Sequence, residues 1–277
     1  MSVPTTLVIP EGVKPEFIVT PRGTFAAHVV RARNPRGSVL LIPGWTGSKE
    51  DFTPILPGLA AAGYDVVAYD QRGQFETLGT PEDDYSLGGL ARDALAVAAV
   101  ALPSAPLHVL GHSFGGLVAQ NVVLTDAGRV RTLTLVCSGP GALGDSPSRP
   151  LKRLVAALGK FPLLQVHELR ERGIKRPAEI SAFLARRFVA NSPQGLRAFT
   201  QILIDTEDRV DDVAETGVPA LVVRGADDDA WPFDAQDDMA RRLGTEVVVL
   251  PRAAHSPAVE SPEDLVAVLT PFLHAHP

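Results

Sequence analysis

Gly111-His112-Ser113-Phe114-Gly115-Gly116 lies between an apolar run, residues 106–110, and a stretch of helical character, residues 117–124. The run predicts a short buried strand, so Ser113 is predicted at a strand-to-helix turn. A side chain at so tight a turn needs an unusual backbone angle, and glycine neighbours avoid overlap with the strand and the helix. Gly-x-Ser-x-Gly in this setting predicts a nucleophilic serine, with the first helical amides near the reacting centre.

Strand-like and helix-like segments alternate along most of the chain, which predicts a mostly parallel sheet flanked by helices. The other predicted strands are residues 17–20, 25–32, 38–42, 65–69, 132–137, 220–223 and 246–250, and the other predicted helices are 52–62, 86–102 and 262–273. From residue 144 to residue 212 the alternation lapses, and apolar residues recur only at helical spacing. We therefore predict an α/β core domain, residues 1–143 and 213–277, carrying a helical insertion, residues 144–212.

The composition is ordinary for a globular enzyme: of 277 residues, 45% are hydrophobic and 21% are charged. A formal net charge of -6 disfavours nucleic-acid binding. The one cysteine, Cys137, cannot form an intramolecular disulfide, and its apolar surroundings predict a buried thiol. We find no signal-peptide pattern and no apolar stretch long enough for a membrane span, so a cytoplasmic location is expected.

A nucleophilic serine needs a base and an acid that orients the base, each predicted just beyond a strand. His255 follows the strand at 246–250, whereas the other histidines lie in other settings. Asp227, Asp228 and Asp229 all follow the strand at 220–223, and position alone does not choose among them.

The oxyanion formed in acyl transfer needs two backbone N–H donors. One is predicted to be the amide of Phe114, the residue after the nucleophile. The other is predicted to be the amide of Trp45, in the loop that follows the strand at 38–42.

Together these segments resemble the α/β-hydrolase superfamily, in particular its capped serine esterases, lactonases and perhydrolase-like members. The resemblance is carried by Pro43-Gly44-Trp45, Tyr69-Asp70-Gln71-Arg72-Gly73, the motif around Ser113, Gly225-x-x-Asp228-x-x-x-Pro232 and His255-Ser256-Pro257 leading to Glu260-Ser261-Pro262-Glu263. It implies the α/β-hydrolase fold, with the insertion as a cap, and chemistry without a metal or an organic cofactor. It also selects Asp228 as the acid, because family members carry it three residues after the loop glycine.

Two departures from the family pattern matter. Pro43 stands where the family often has histidine, but the glycine and the following amide are kept. Ser113 stands where haloalkane dehalogenases and soluble epoxide hydrolases carry an aspartate, so both of those reactions are disfavoured.

The insertion is basic, although the whole chain is acidic. Between residues 149 and 197 its basic residues are Arg149, Lys152, Arg153, Lys160, Arg170, Arg172, Lys175, Arg176, Arg186, Arg187 and Arg197, against Glu168, Glu171 and Glu179. An anionic substrate or acidic partner is one interpretation, and the solvated faces of amphipathic helices are the other. Trp45, His112, Phe183 and Trp231 are predicted to line the substrate pocket.

The predicted function is hydrolysis of a carboxylic ester, thioester or lactone of a small molecule by Ser113, His255 and Asp228 through an acyl-enzyme. One alternative keeps the same three residues for perhydrolase or C–C bond hydrolase chemistry. Another is a non-catalytic binder of a small ligand, which would have no need of a base. The oligomeric state stays open.

Overall fold

The computed structural model describes residues 2–103, 107–158 and 160–277. Its eight strands are β1 (Lys14–Thr20), β2 (Gly23–Val30), β3 (Gly37–Ile42), β4 (Tyr64–Tyr69), β5 (Leu107–His112), β6 (Val130–Val136), β7 (Ala220–Gly225) and β8 (Val247–Leu250). They form one sheet in the order β1-β2-β4-β3-β5-β6-β7-β8. All pairs from β4 to β8 are parallel, and the β1–β2 hairpin adds an antiparallel edge. The predicted mostly parallel sheet is confirmed, while Pro106, the first residue of the strand predicted before Ser113, lies outside the described residues.

Helices cover both faces of this sheet. They are α1 (Leu56–Ala61), α2 (Leu87–Ala101), α3 (Phe114–Thr125), α4 (Asp145–Ala157), α5 (Leu163–Arg170), α6 (Ala178–Val189), α7 (Pro193–Asp205), α8 (Val210–Glu215), α9 (Phe233–Arg242), α10 (Pro257–Glu260) and α11 (Pro262–Ala275). Apolar residues of α2, α3, α8 and α9 pack on one face, and those of α1 and α11 pack on the other. No helix of the described ranges is long and apolar enough to cross a membrane.

The helix predicted at residues 52–62 is divided in the structure. A 3-10 helix, Lys49–Ile55, precedes α1. Pro54 and Pro57 lie at this junction. Because proline has no N–H to donate, it removes hydrogen bonds that a continuous α-helix needs. The apolar spacing was therefore a correct sign of helical structure, but not of one regular helix.

The segment between β6 and β7 contains α4 to α7 and then α8. The predicted insertion boundary at residue 212 falls inside α8, whose Val210 and Val213 are fully buried in the large cluster on the α3 side of the sheet. Phe199 and Leu203 of α7 join the same cluster. The insertion is thus packed continuously against the core at its C-terminal end.

Candidate active site

Ser113 occupies a strained turn between β5 and α3. It is not glycine, yet its φ is 54°, in the left-handed region that costs most residues energy. The turn is held because the Ser113 amide donates to the Val136 carbonyl at 2.9 Å and the Ser138 hydroxyl donates to the Ser113 carbonyl at 2.9 Å. A side chain at Gly115 would overlap the Ile42 carbonyl. Close approach to β3 thus explains why the motif needs glycine here.

The three predicted residues meet at the carboxyl ends of β5, β7 and β8. His255 Nε2 lies 2.9 Å from Ser113 Oγ, and His255 Nδ1 donates to Asp228 Oδ1 at 2.6 Å. The Nδ1–H tautomer leaves Nε2 free to accept the serine proton. An oriented base in contact with a hydroxyl is the arrangement that activates a serine for nucleophilic attack.

Asp228 is the aspartate of the three that faces inward. Asp227 and Asp229 are exposed, whereas Asp228 is 5% exposed. Burial acts to raise the pKa of the Asp228 carboxyl, but hydrogen bonds from His255, and from the Ala230 amide at 3.2 Å, outweigh it and the pKa lies below its ordinary value. The carboxylate therefore stays ionised and can stabilise a protonated His255.

Further residues hold these groups in place. Gln236 Nε2 donates to Asp228 Oδ2 at 3.0 Å, and the Glu260 carboxylate accepts from the amides of Ala254 and Ser256, on either side of His255, at 2.7 and 3.1 Å. Neither role was predicted. The resemblance had included Glu260 only as part of a motif, and nothing local pointed to Gln236.

His112 holds His255 through a hydrogen bond to the backbone of His255. Its Nε2 donates to the His255 carbonyl at 2.6 Å. Burial, and secondarily the nearby His255, lowers the pKa of His112 to about 3, so the ring stays neutral. His112 was predicted in the substrate pocket, but in the structure it lines a small cavity with Phe52 and Val259 and not the cavity that Trp45 lines.

The loop carrying one of the two predicted oxyanion donors, the Trp45 amide, lies against Ser113. A Cβ built on Gly44 would be 3.3 Å from Ser113 Cβ, so the chain at Gly44 and Trp45 passes beside the nucleophile. Gln74 Nε2 donates to the carbonyls of Gly44 and Trp45 at 2.8 and 3.1 Å, and Gln71 Nε2 donates to the Pro43 carbonyl at 2.9 Å. With the carbonyls held by buried glutamines, the loop has a fixed course.

The predicted pocket residues separate in the structure. Trp45 lines a cavity of about 720 Å³ between α4 and α5, and its Nε1 donates to Thr200 Oγ1 at 2.9 Å. Phe183 instead packs edge-on against Phe75, 5.7 Å between ring centroids. Trp231 is buried, and its Nε1 donates to the Gly141 carbonyl at 3.0 Å. Of the residues predicted for the pocket, Trp45 alone is in the wall of this cavity, as far as the described residues define it.

Cys137 lies beneath the site, with φ 48° and no exposed surface. Its sulfur is within 4.8 Å of ligand-type atoms of Asp228 and His255. Burial raises the pKa of the Cys137 thiol well above its ordinary value. A protonated thiol is a poor metal ligand, and the facing atoms of Asp228 and His255 already bond to each other, so these donors do not suit a metal ion.

Similarity to known proteins shows the family of this chain. A sequence model described as the alpha/beta hydrolase family matches residues 39–268. The chain belongs to the alpha/beta hydrolase family. The predicted α/β-hydrolase fold is confirmed, and the chain is an enzyme of that fold.

Two relatives and two solved structures illustrate the range of the family. The chain is 25% identical over 245 residues to a pimeloyl-[acyl-carrier protein] methyl ester esterase of Neisseria meningitidis, covering 85% of this chain and 76% of the relative. It is 28% identical over 254 residues to a non-heme haloperoxidase of Rhodococcus erythropolis, covering 84% and 90%. A hydrolase from Pseudomonas aeruginosa superposes with a TM-score of 0.77 at 25% identity, over 94% and 98% of the two chains. A thermophilic esterase from Thermogutta terrifontis, at 20% identity, shares the fold with a TM-score of 0.77 over 95% and 100%.

Proposed function

We propose that this α/β-hydrolase cleaves a carboxylic ester, thioester or lactone of a small molecule through a covalent acyl-enzyme. The observation that carries the proposal is the unbroken hydrogen-bonded chain from Ser113 Oγ through His255 to Asp228. The esterase among the relatives supports the same reaction class. A protein that only binds a ligand has no need of this chain, which disfavours the binding-module alternative.

In the first half-reaction, Ser113 Oγ attacks the substrate carbonyl carbon while its proton passes to His255 Nε2. The negative charge on the carbonyl oxygen is received by the amides of Trp45 and Phe114. The tetrahedral intermediate then collapses, the bond to the leaving group breaks, and His255 returns the proton to the departing oxygen or sulfur.

In the second half-reaction, His255 takes a proton from water, which attacks the acyl-enzyme carbonyl. Collapse releases the acid and restores Ser113. Asp228 stays ionised throughout and stabilises the imidazolium. The steps use only side chains and backbone amides of this chain.

Hydrolysis of p-nitrophenyl esters of increasing acyl length tests the proposal. We expect the wild-type enzyme to turn over at least part of the series and Ser113→Ala to lose about 10⁴- to 10⁶-fold in kcat. Ser181→Ala, at an exposed serine of α6, is the matched control and should keep full activity. Intact mass after treatment with a fluorophosphonate should show one adduct in the wild type and none in Ser113→Ala. A folded wild type that neither hydrolyses any ester nor is labelled would contradict the proposal.

The haloperoxidase among the relatives favours perhydrolysis as a second candidate. In perhydrolysis, hydrogen peroxide replaces water in the attack on the acyl-enzyme, and the enzyme releases a peracid instead of a carboxylic acid. Peracid formed from acetate and hydrogen peroxide, measured beside ester hydrolysis, separates the two. A perhydrolysis rate above the hydrolysis rate would favour this candidate. C–C bond cleavage is tested separately, with a β-diketone as substrate.

A further inference from the structure

Arg170, the last residue of α5, holds its guanidinium between two aromatic rings. The guanidinium carbon lies 5.0 Å from the Trp45 ring centroid and 5.2 Å from the Phe188 ring centroid. Stacking on aromatic faces orients a guanidinium but supplies no negative charge. The two rings thus position the guanidinium but accept no hydrogen bond from it, so its N–H groups need acceptors elsewhere.

Those acceptors are not found among the described residues. Arg170 Nη1 is buried with no hydrogen-bond partner, and no carboxylate of the described ranges forms an ion pair with Arg170. Burial lowers the pKa of this guanidinium. His167, one turn earlier on α5 and packed against the same Phe188 ring, also leaves its buried Nδ1 unpartnered. A buried donor without an acceptor is costly, so Arg170 Nη1 points to a missing anion, whereas the neutral His167 ring can hold its Nδ1 as an unprotonated acceptor.

The cavity beside Arg170 has the size and lining for an organic substrate. Its volume is about 720 Å³, and its apolar wall includes Trp45, Leu151, Leu154, Val166 and Leu169. Arg153 and Arg172 also line it and are exposed, as is the one acid in the wall, Glu168. Arg170 is therefore the cation in the wall that is only partly exposed and has a buried, unpartnered nitrogen, within an otherwise mostly apolar surface.

Trp45 connects this cavity to the proposed chemistry. Its ring is stacked on Arg170 and lines the cavity, while its backbone continues directly from Gly44, which lies against Ser113. A substrate bound at the guanidinium must then extend along Trp45 to bring its scissile carbonyl to Ser113. The order along such a molecule is anion, apolar segment, scissile carbonyl.

We propose that Arg170 is a substrate-binding residue that recognises a carboxylate on the acyl part of the substrate, separated from the scissile carbonyl by an apolar segment that occupies the cavity. A guanidinium binds a carboxylate through two parallel hydrogen bonds, which suits an arginine that has no ion pair among the described residues and whose Nη1 is buried without a partner. The inference rests on the proposed ester hydrolysis for its kinetic consequences, but not for binding.

Paired esters test the proposal. p-Nitrophenyl hydrogen suberate carries a terminal carboxylate, and p-nitrophenyl octanoate has the same chain length without it. We expect the wild type to favour the carboxylate ester in kcat/KM by about tenfold or more, mainly through a lower KM. Arg170→Met keeps apolar contact with Trp45 and Phe188, and it should abolish the preference, so that the kcat/KM values for the two esters become about equal. Arg170→Lys should retain part of it.

Lys175→Met is the matched control, because it removes one positive charge from an exposed position of the insertion that does not line the cavity. It should leave the preference unchanged. Equal hydrolysis of the two esters by the wild type would overturn the proposal. So would a preference that survives in Arg170→Met, or one that Lys175→Met reduces as much, since that would indicate a general field rather than a binding site.

Calorimetric binding of suberate to Ser113→Ala separates the two proposals. Suberate should bind to Ser113→Ala about tenfold or more weakly when Arg170→Met is added, whether or not any ester is cleaved. Suberate binding that depends on Arg170, with no ester hydrolysis by the wild type, would contradict only the proposed reaction. Ester hydrolysis without Arg170-dependent binding would contradict only the carboxylate site.

Discussion

Ser113, His255 and Asp228 at the carboxyl edge of the sheet each have a hydrogen-bonded partner, whereas the partly exposed guanidinium of Arg170 in the insertion has none among the described residues. The edge is built from short loops fixed to parallel strands, and Ser113, His255 and Asp228 bond to one another. In the insertion, Arg170 is oriented only by aromatic rings. The difference indicates that the reacting groups are arranged in advance, while the insertion leaves room for a charge that the substrate brings.

The same contrast exists within the insertion. Arg187, on α6, has no exposed surface, and it donates to Asp51 at 2.6 Å and to the Ser2 carbonyl at 2.6 Å. It also lies 3.3 Å from the Ser48 hydroxyl, three residues beyond Trp45. Arg187 therefore anchors the insertion to the core. The basic residues of the insertion thus include an anchor, Arg187, and a proposed substrate-binding residue, Arg170.

The largest effect on activity is expected from substitution of Asp228, the predicted acid. Asp228→Asn should lower kcat by about 10⁴-fold, because an amide does not stabilise the imidazolium and favours the wrong tautomer of His255. Asp227→Asn and Asp229→Asn, at exposed neighbours, should stay within about twofold of the wild type. Ester hydrolysis by the three variants decides the matter, and comparable losses in all of them would refute the assignment of Asp228.

Substitution of Arg187, which joins the insertion to the core, is expected to have the second largest effect. Arg187→Met leaves the buried Asp51 carboxylate without its cation, and the free energy of unfolding should fall by about 3 to 5 kcal/mol. Arg186→Met changes an exposed neighbour that lies over the Phe75 and Phe183 rings, and it should cost less than about 1 kcal/mol. Urea unfolding of both variants measures the difference. Equal losses would mean that Arg187 does not anchor the insertion.

Fixing of the oxyanion loop is tested at Gln74. Gln74→Ala frees the carbonyls of Gly44 and Trp45, and kcat should fall by about tenfold with little change in KM, since a displaced donor stabilises the transition state less. Gln201→Ala, at an exposed glutamine of α7, is the control and should behave as the wild type. A rise in KM at constant kcat would indicate a role in substrate binding instead.

The smallest expected effect is the contribution of His108, a buried histidine of the core, to the pH dependence of stability. Burial lowers the pKa of His108 to about 4, from 6.5 in the unfolded chain. Between these values the unfolded state binds the proton and the folded state does not, so stability falls as the pH drops from 6.5 to about 4, by about 1.4 kcal/mol per pH unit at most. In His108→Gln this slope should be shallower. Chemical denaturation at pH 7.5 gives the loss from the substitution itself, and an unchanged slope between pH 6.5 and 5 would show that His108 does not contribute.

What the sequence predicts well is local. The turn at Ser113 is encoded by its own glycines and by the strand and helix on either side of it, so the motif in this setting predicts the position of Ser113 at the turn. His255 follows a strand within a short loop, and it too could be found by position. Asp228 required a resemblance to the family, because three adjacent aspartates differ only in which one the folded loop turns inward.

What the sequence does not predict is pairing across the fold. Gln74 meets the loop at Gly44 from 30 positions away, and Arg187 meets Asp51 from 136 positions away. The same basic composition gave no means of telling Arg187, which is paired, from Arg170, which is not. The bond from His112 to the His255 carbonyl spans 143 positions, and nothing in the sequence indicates it.

Cys137 gives the molecule a practical property. The only thiol of the chain has no exposed surface, donates weakly to the Ala254 carbonyl at 3.5 Å, and is kept protonated by burial. Alkylating reagents need an accessible thiolate and should leave it unmodified while the protein is folded. A cysteine introduced on the surface of α5 would then be the sole site for a fluorescent label. Movement of the insertion during turnover could be followed at that one position without first removing a native residue.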